Sequence, residues 1–135
     1  MRDGRTRRVA KTTNGEDFLA THRASLTVLS GPAAGTEFEL DQARMVVGRS
    51  RDAGVRIEDA SVSHEHAALE LGLAGFGIRD LGSTNGVRVN GGAVDSTALK
   101  HGDRLEVGAV ELQYVVEARS TGSGRAWDID LELDQ

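Results

Sequence analysis

Short apolar stretches separated by glycine-containing turns run through most of this 135-residue chain. The chain has 17 glycines and only one proline, and glycine readily adopts the positive φ angles of tight turns. On either side of the turn at residues 31–35, apolar residues alternate with polar ones, at Leu26 and Val28 and again at Phe38 and Leu40. Such alternation is typical of a β-strand with one buried face, so this segment is predicted to be a hairpin.

Further strands are predicted wherever a short apolar stretch lies between turn residues. They cover residues 45–48, 55–57, 66–71, 76–81, 87–89, 105–107 and 110–116. Many short strands at this spacing favour an all-β fold, a two-sheet β-sandwich. We place the folded domain at residues 24–118, between a flexible N-terminal tail (1–23) and a flexible linker with an acidic and apolar C-terminal tail (119–135).

The two tails have different compositions. Residues 1–11 carry four arginines and one lysine against a single acid, which favours a solvated, disordered segment. Farther along, Asn14 is a candidate N-cap for a helical turn over residues 14–23. Residues 127–133 alternate apolar and acidic side chains, a pattern that fits a frayed terminus, an extra edge strand or a strand that binds a partner.

Composition excludes several classes of function. The chain has no cysteine, so disulfides, cysteine-zinc sites and thiol catalysis are excluded. A net charge of −5 argues against a broad nucleic-acid surface, although the basic tail alone could contact nucleic acid. No apolar run approaches the roughly 18 residues that span a bilayer, and no signal-peptide core follows the first arginines. We therefore expect a cytoplasmic protein that binds neither nucleic acid nor membrane and needs no cofactor.

Three predicted loops carry polar residues that could bind an anion. They contain Gly48-Arg49-Ser50, then Ser63-His64-Glu65-His66, then Gly82-Ser83-Thr84-Asn85-Gly86. The planar guanidinium of Arg49 can donate to two phosphate oxygens at once. Ser63 and Thr84 offer further donors, and the Asn85 amide can pair with an extended peptide backbone. Together the loops predict a small, focused anion site.

In this order and spacing, the loop residues resemble the signature of the forkhead-associated (FHA) family, which is Gly-Arg, then Ser-x-x-His, then Asn-Gly. The resemblance covers about residues 24–117. It implies a β-sandwich that binds phosphothreonine on a protein partner, downstream of a Ser/Thr protein kinase, and that is not an enzyme. It implies phosphopeptide binding by Arg49, Ser50, Ser63, His64, Ser83, Thr84 and Asn85, and structural roles for Gly48, His66 and Gly86, with His66 bracing the loops from within.

Two positions bear on affinity and selectivity. Many FHA domains have arginine or lysine directly after the loop serine, where this chain has His64. Because histidine is only partly charged at neutral pH, the resemblance implies weaker, pH-dependent binding, unless Arg51 compensates. In family members, the position of Ser61 tunes the preference for the third residue after phosphothreonine, and a small serine predicts no sharp preference there.

Each motif alone has a simpler explanation. Arg49 could pair with an acid such as Asp59, and Asn-Gly is a common hairpin turn. His64 and His66 could form a metal pair, although we expect no metal site.

Two other function classes stay open. One is an enzyme, for which the sequence offers no base-paired nucleophile. The other is a phosphate-independent scaffold or inhibitor that binds proteins through the sandwich surface.

A threonine pair, Thr12 and Thr13, precedes the segment Asp17-Phe18-Leu19. This arrangement resembles the tail of small bacterial FHA regulators that kinases phosphorylate and that then bind their own phosphothreonine. Lys11 stands where those tails carry an acid. The resemblance implies phosphorylation of Thr12 or Thr13 and self-inhibition by the tail. Residues 13–26 span up to roughly 40 Å when extended, about the width of such a domain, so the sequence permits closure.

Overall fold

The computed structural model describes residues 16–119. Within this range one short helix, α1 (Glu16–Thr21), precedes the strands. The strands are β1 (His22–Val28), β2 (Glu37–Leu40), β3 (Arg44–Gly48), β4 (Val55–Arg56), β5 (Ala67–Gly72), β6 (Gly75–Asp80), β7 (Val87–Val89), β8 (Gly92–Val94), β9 (Ser96–Ala98), β10 (Arg104–Val107) and β11 (Val110–Ala118). Predictions for residues 1–15 and 120–135, including the threonine pair, lie outside the described residues.

The strands form a six-stranded sheet in the order β2-β1-β11-β10-β7-β8 and a five-stranded sheet in the order β4-β3-β5-β6-β9. Neighbouring strands are antiparallel, except for the short parallel pair of β3 and β4. The prediction of an all-β, two-sheet β-sandwich is therefore confirmed. Strands β8 and β9 were not predicted, because these three-residue strands lack the alternation that marks the others.

The core fills the space between the two sheets. Leu26 and Leu112 from the larger sheet, and Val47 and Leu69 from the smaller one, are fully buried. Tyr114 of β11 is also buried, and its hydroxyl accepts a hydrogen bond from the backbone N–H of Phe76 in β6, across the two sheets, at 3.0 Å. Burial raises the pKa of the Tyr114 phenol, so the core keeps it neutral.

Within residues 16–119, no helix has the length and apolar character needed to cross a membrane.

Helix α1 packs on the sandwich, and β1 begins at His22, two residues before the start that the sequence predicted for the domain. Phe18 is only 8% exposed, and its ring stacks on the His22 ring with centroids 4.9 Å apart. Arg119 donates from its backbone N–H to Thr21 and from Nε to the Leu19 carbonyl, at 2.9 and 2.7 Å. Residues 16–23 were predicted to be part of the tail, since no local pattern shows that strands far along the chain supply the surface that buries Phe18.

The sandwich has two distinct ends. In the pairing of β1 with β11, His22 lies opposite Ala118 at one end and Val28 lies opposite Leu112 at the other. Helix α1 sits at the first end, whereas the β10–β11 turn and the three polar loops lie at the second. The length of β1 separates them, which is about 20 Å at roughly 3.3 Å per residue.

Candidate anion-binding site

Gly48 ends β3 where the loop between β4 and β5 passes directly over the backbone. A Cβ atom at this position would lie 2.0 Å from the His64 carbonyl oxygen, which no side chain tolerates. The close approach allows Arg49 N–H to donate to the Ser63 carbonyl at 3.0 Å and Ser50 N–H to donate to the His64 carbonyl at 3.1 Å. Glycine is therefore required here to place Arg49 beside the serine loop.

Gly48→Ala is accordingly expected to lower the free energy of unfolding by about 2–3 kcal/mol, because the loop must move to admit the methyl group. A matched control is Gly92→Ala in β8, where an added Cβ would be an ordinary 3.7 Å from the Val89 carbonyl oxygen. Urea denaturation of both variants measures the difference. Equal losses of stability would contradict the steric argument.

His66 is fully buried behind the loops. Its Nδ1 accepts a hydrogen bond from Ser63 N–H at 3.0 Å, and its Nε2 lies 2.7 Å from the Gly86 carbonyl oxygen. A neutral imidazole has one donor and one acceptor nitrogen, so the proton is assigned to Nε2, which donates to Gly86. His66 thus connects the serine loop to the Asn-Gly loop. Because both ring nitrogens are used, His66 cannot share a metal ion with the exposed His64.

Ser83 holds the shape of the third loop. Its N–H donates to Asp80 Oδ1 at 2.9 Å, and its hydroxyl oxygen accepts from Gly86 N–H at 2.9 Å. The next residue, Thr84, donates its N–H to the Ser63 hydroxyl oxygen at 3.2 Å and has an exposed side chain. The second and third loops are therefore directly bonded, with the Thr84 hydroxyl at the surface.

Arg49 is an exposed cation with a fixed orientation. Its Nε donates to the Val62 carbonyl, which leaves both terminal amino groups for a ligand. Among residues 16–119, no carboxylate forms an ion pair with Arg49. Asp59, the alternative partner, accepts from the Ser61 hydroxyl and N–H at 2.7 and 2.9 Å. These bonds lower the pKa of Asp59, which stays ionised beside Ser61.

An open groove extends from Arg49 along the first loop. It is lined in part by Arg49, Ser50, Arg51, Arg56, Glu58 and His64. The Ser50 hydroxyl accepts from Asp52 N–H at 3.2 Å, which shapes the turn. Arg56 pairs with Glu58 at 2.7 Å, whereas Arg51 forms no ion pair within the described range. The groove therefore keeps the charges of Arg49 and Arg51 for an anion.

Asn85 lies across the same end of the sandwich. Its Nδ2 donates to the Ser61 carbonyl at 2.8 Å, which orients the amide. The side chain is otherwise exposed, so Oδ1 and the second N–H can meet an extended peptide.

The sequence matches the family model for the cytoplasmic domain of the inner membrane component of T3SS over residues 27–118. The glycogen accumulation regulator GarA of Mycolicibacterium smegmatis is 37% identical over 111 residues, 82% of this chain and 70% of GarA. The oxoglutarate dehydrogenase inhibitor of Corynebacterium efficiens is 34% identical over 106 residues, 78% of this chain and 75% of the inhibitor. The match to GarA of Mycobacterium tuberculosis, 38% identical over 102 residues and 76% of this chain, spans 63% of that relative.

Solved structures resemble the fold over the same region. The FHA domain of the CT664 protein from Chlamydia trachomatis has a TM-score of 0.63 and 33% identity, over 69% of this chain and 96% of that one. The chain belongs to the FHA family. An FHA domain solved in a study of phosphothreonine-dependent FHA interactions has a TM-score of 0.64 and 29% identity, over 69% and 95% of the two chains.

The signature residues of this FHA domain separate into two groups by geometry. Exposed side chains that can meet a ligand belong to Arg49, His64, Thr84 and Asn85, with the half-buried Ser63 between them. The second group shapes the loops, either by hydrogen bonding to the loop backbone or by allowing two backbone segments to approach closely. It consists of Gly48, Ser50, His66, Ser83 and Gly86. Ser50 and Ser83, which the resemblance assigned to the ligand, thus have structural bonds of their own.

The β10–β11 turn contributes to the site, which the sequence did not predict. Ala109 N–H donates to the Ser61 hydroxyl oxygen at 2.8 Å, across 48 residues of sequence. No local pattern marks this contact, because it joins a turn of the larger sheet to a loop of the smaller one. Ser61 therefore belongs to the structure around the FHA site.

Proposed function

We propose that this chain is a phosphothreonine-dependent protein-binding module in Ser/Thr kinase signalling, without catalytic activity. The observation that carries the proposal is the Arg49 guanidinium, which is held by the Val62 carbonyl, has no ion pair among the residues that the structure describes, and lies beside the bonded pair of Ser63 and Thr84. The FHA domain studied for phosphothreonine-dependent interactions supports it. So do the relatives named as a regulator and an inhibitor, since neither name describes an enzyme.

The chemistry of phosphate binding follows from the donors. The two terminal amino groups of Arg49 can each donate to a phosphate oxygen. The Ser63 hydroxyl oxygen accepts from Thr84 N–H, so its proton is free to donate, and the Thr84 hydroxyl adds another donor. Charge-assisted bonds contribute about 1.5–3 kcal/mol each, offset by the cost of association, so a micromolar dissociation constant is expected.

Calorimetric titration with one peptide in three forms tests the proposal. The phosphothreonine form is expected to bind at least about 100-fold more tightly than the plain form, because the plain hydroxyl cannot engage the guanidinium. The phosphoserine form is expected to bind more weakly than phosphothreonine, because it lacks a methyl group whose burial contributes about 0.8 kcal/mol. Equal affinities for the phosphorylated and plain peptides would refute phosphate-dependent binding.

A phosphate-independent inhibitor is the second candidate. It is favoured by the corynebacterial relative, which is named as an inhibitor of oxoglutarate dehydrogenase. Binding of the Arg49→Ala variant to an immobilised partner enzyme separates the two candidates. If binding does not depend on phosphate, the variant is expected to bind the partner as the wild type does. If binding depends on phosphate, the variant is expected to lose it.

We also propose that a kinase phosphorylates Thr12 or Thr13 and that the phosphorylated tail then occupies an FHA site. Closure onto the same molecule is restricted by α1. Thr13 precedes Glu16 by three residues, a reach of about 10 Å, whereas the loops lie about 20 Å from the α1 end. The reach of roughly 40 Å predicted from the sequence assumes that residues 13–26 are fully extended. In the structure residues 16–28 form α1 and β1, so they do not add to the reach of the tail.

While α1 is docked, the phosphorylated tail is therefore expected to bind the site of a second copy. Light scattering on the phosphorylated chain should show association that rises with protein concentration and is absent in Arg49→Ala, which lacks the phosphate clamp. The unphosphorylated chain is the control. A phosphorylated chain that remains monomeric at high concentration would contradict binding between copies.

A further inference from the structure

Ser61 lies in the loop between β4 and β5, and each of its polar groups is bonded. Its N–H and hydroxyl both donate to Asp59 Oδ1, at 2.9 and 2.7 Å. Its hydroxyl oxygen accepts from Ala109 N–H at 2.8 Å, and its carbonyl accepts from Asn85 Nδ2 at 2.8 Å. Ser61 therefore links the β10–β11 turn to the side chain of Asn85.

Gly108 in that turn packs against the same serine. Its φ angle is +61°, and a Cβ atom there would lie 2.4 Å from the Ser61 carbonyl oxygen and 2.6 Å from its hydroxyl oxygen. Any larger residue therefore forces the turn and the Ser61 backbone apart, including the carbonyl that holds Asn85. The turn and the loop are therefore in direct contact.

We propose that Ser61, held by Asp59 and by the turn at Gly108 and Ala109, is a positioning residue that orients Asn85 for the backbone of a bound peptide. The proposal rests on the proposed function and concerns the same site. An amide that is already oriented loses less rotamer freedom on binding, which increases affinity without any new contact to the ligand. The gain in affinity therefore comes from contacts with the peptide backbone. It does not come from the phosphate, which binds Arg49, Ser63 and Thr84.

The arrangement also bears on selectivity. The hydroxyl proton of Ser61 is committed to Asp59, and its oxygen already accepts from the β10–β11 turn. Ser61 therefore has no free donor for a ligand side chain. The sequence predicted no sharp preference for the third residue after phosphothreonine from the small size of serine, and these bonds supply a second reason for that expectation.

A double-mutant cycle with Ser61→Ala and Asn85→Ala tests the positioning role. Dissociation constants are measured for a phosphothreonine peptide by calorimetry and for free O-phosphothreonine by NMR titration. Ser61→Ala is expected to weaken peptide binding by about 5-fold in the wild-type background and by less than about 2-fold in the Asn85→Ala background. Binding of the free amino acid, which lacks the peptide backbone, is expected to change by less than about 2-fold in either background.

A pair of glycine variants supplies an independent measurement. Gly108 and Gly102 both have positive φ angles, +61° and +92°, but a Cβ at Gly102 meets nothing within 4 Å. Both alanine variants carry backbone strain, and only Gly108→Ala displaces Ser61. We expect Gly108→Ala to weaken peptide binding by about 10-fold and Gly102→Ala to leave it within about 2-fold.

Three results would overturn the positioning role. They are additive effects in the Ser61 and Asn85 cycle, equal weakening of the peptide and the free amino acid, and equal effects of the two glycine variants. If Gly108→Ala does not fold, the Ser61 and Asn85 cycle decides alone. A wild-type protein that binds the phosphorylated peptide while the cycle is additive loses only this inference. A wild-type protein that does not bind the peptide refutes both this inference and the proposed function.

Discussion

Arg49→Ala is expected to raise the dissociation constant of a phosphothreonine peptide by at least about 100-fold, because it removes two charge-assisted donors from the phosphate. The side chain is exposed, and among residues 16–119 its one hydrogen bond runs from Nε to the Val62 carbonyl. Its loss is expected to cost about 1 kcal/mol of stability or less. Calorimetry measures the affinity, and a thermal melt of the same sample measures the fold.

Arg49→Lys is the matched control, since it keeps the positive charge and loses the planar fork. We expect its affinity to lie between those of wild type and Arg49→Ala, because a lysine ammonium binds phosphate as a point charge. Normal peptide binding by a folded Arg49→Ala variant would show that phosphate is bound elsewhere.

His66→Ala is expected to have the largest effect on stability, lowering the free energy of unfolding by about 3–5 kcal/mol. The imidazole is fully buried, so its removal leaves a cavity. It also leaves the Ser63 N–H and the Gly86 carbonyl without the partners that they have in the native structure. For a domain of this size, the melting temperature should fall by more than about 10 °C.

The neighbouring His64→Ala is the control for His66→Ala, because His64 is exposed at the same loop. Its melting temperature is expected to stay within a few degrees of wild type, as for most surface substitutions. Below its own melting temperature, His66→Ala should also bind the phosphopeptide more weakly, since the Ser63 and Gly86 loops are no longer joined. A His66→Ala variant that melts with the wild type would refute the role of an internal brace.

Most of the sandwich could be predicted because alternation is a property of adjacent residues. Strand β11, which buries every second side chain over Val110–Tyr114, was predicted from its apolar positions alone, and so was most of β1. The strands β8 and β9 could not be, since Gly92–Val94 and Ser96–Ala98 have no buried apolar face and are strands only through pairing with β7 and β6. Helix α1 was likewise assigned to the tail, because the surface that covers Phe18 comes from distant strands.

The site was predictable to the extent that its chemistry resides in single side chains. The guanidinium of Arg49 and the amide of Asn85 have the same donors in any fold, and their spacing in sequence was enough to indicate the FHA family and a phosphate ligand. Their division of labour was not predictable. That Ser83 bonds its own loop, and that Asp59 bonds Ser61 in place of Arg49, depends on which groups lie within hydrogen-bond distance.

The strand pattern, the family and the residue types that can bind an anion therefore follow from the sequence alone, because they depend on neighbouring residues and on side-chain chemistry. Two features emerge only in the folded protein: α1 lies at the end of the sandwich opposite the site, and Ser61 joins the β10–β11 turn to Asn85. Both depend on contacts between segments far apart in the chain. Such contacts form only when the two sheets pack in one register, and no local pattern specifies their geometry.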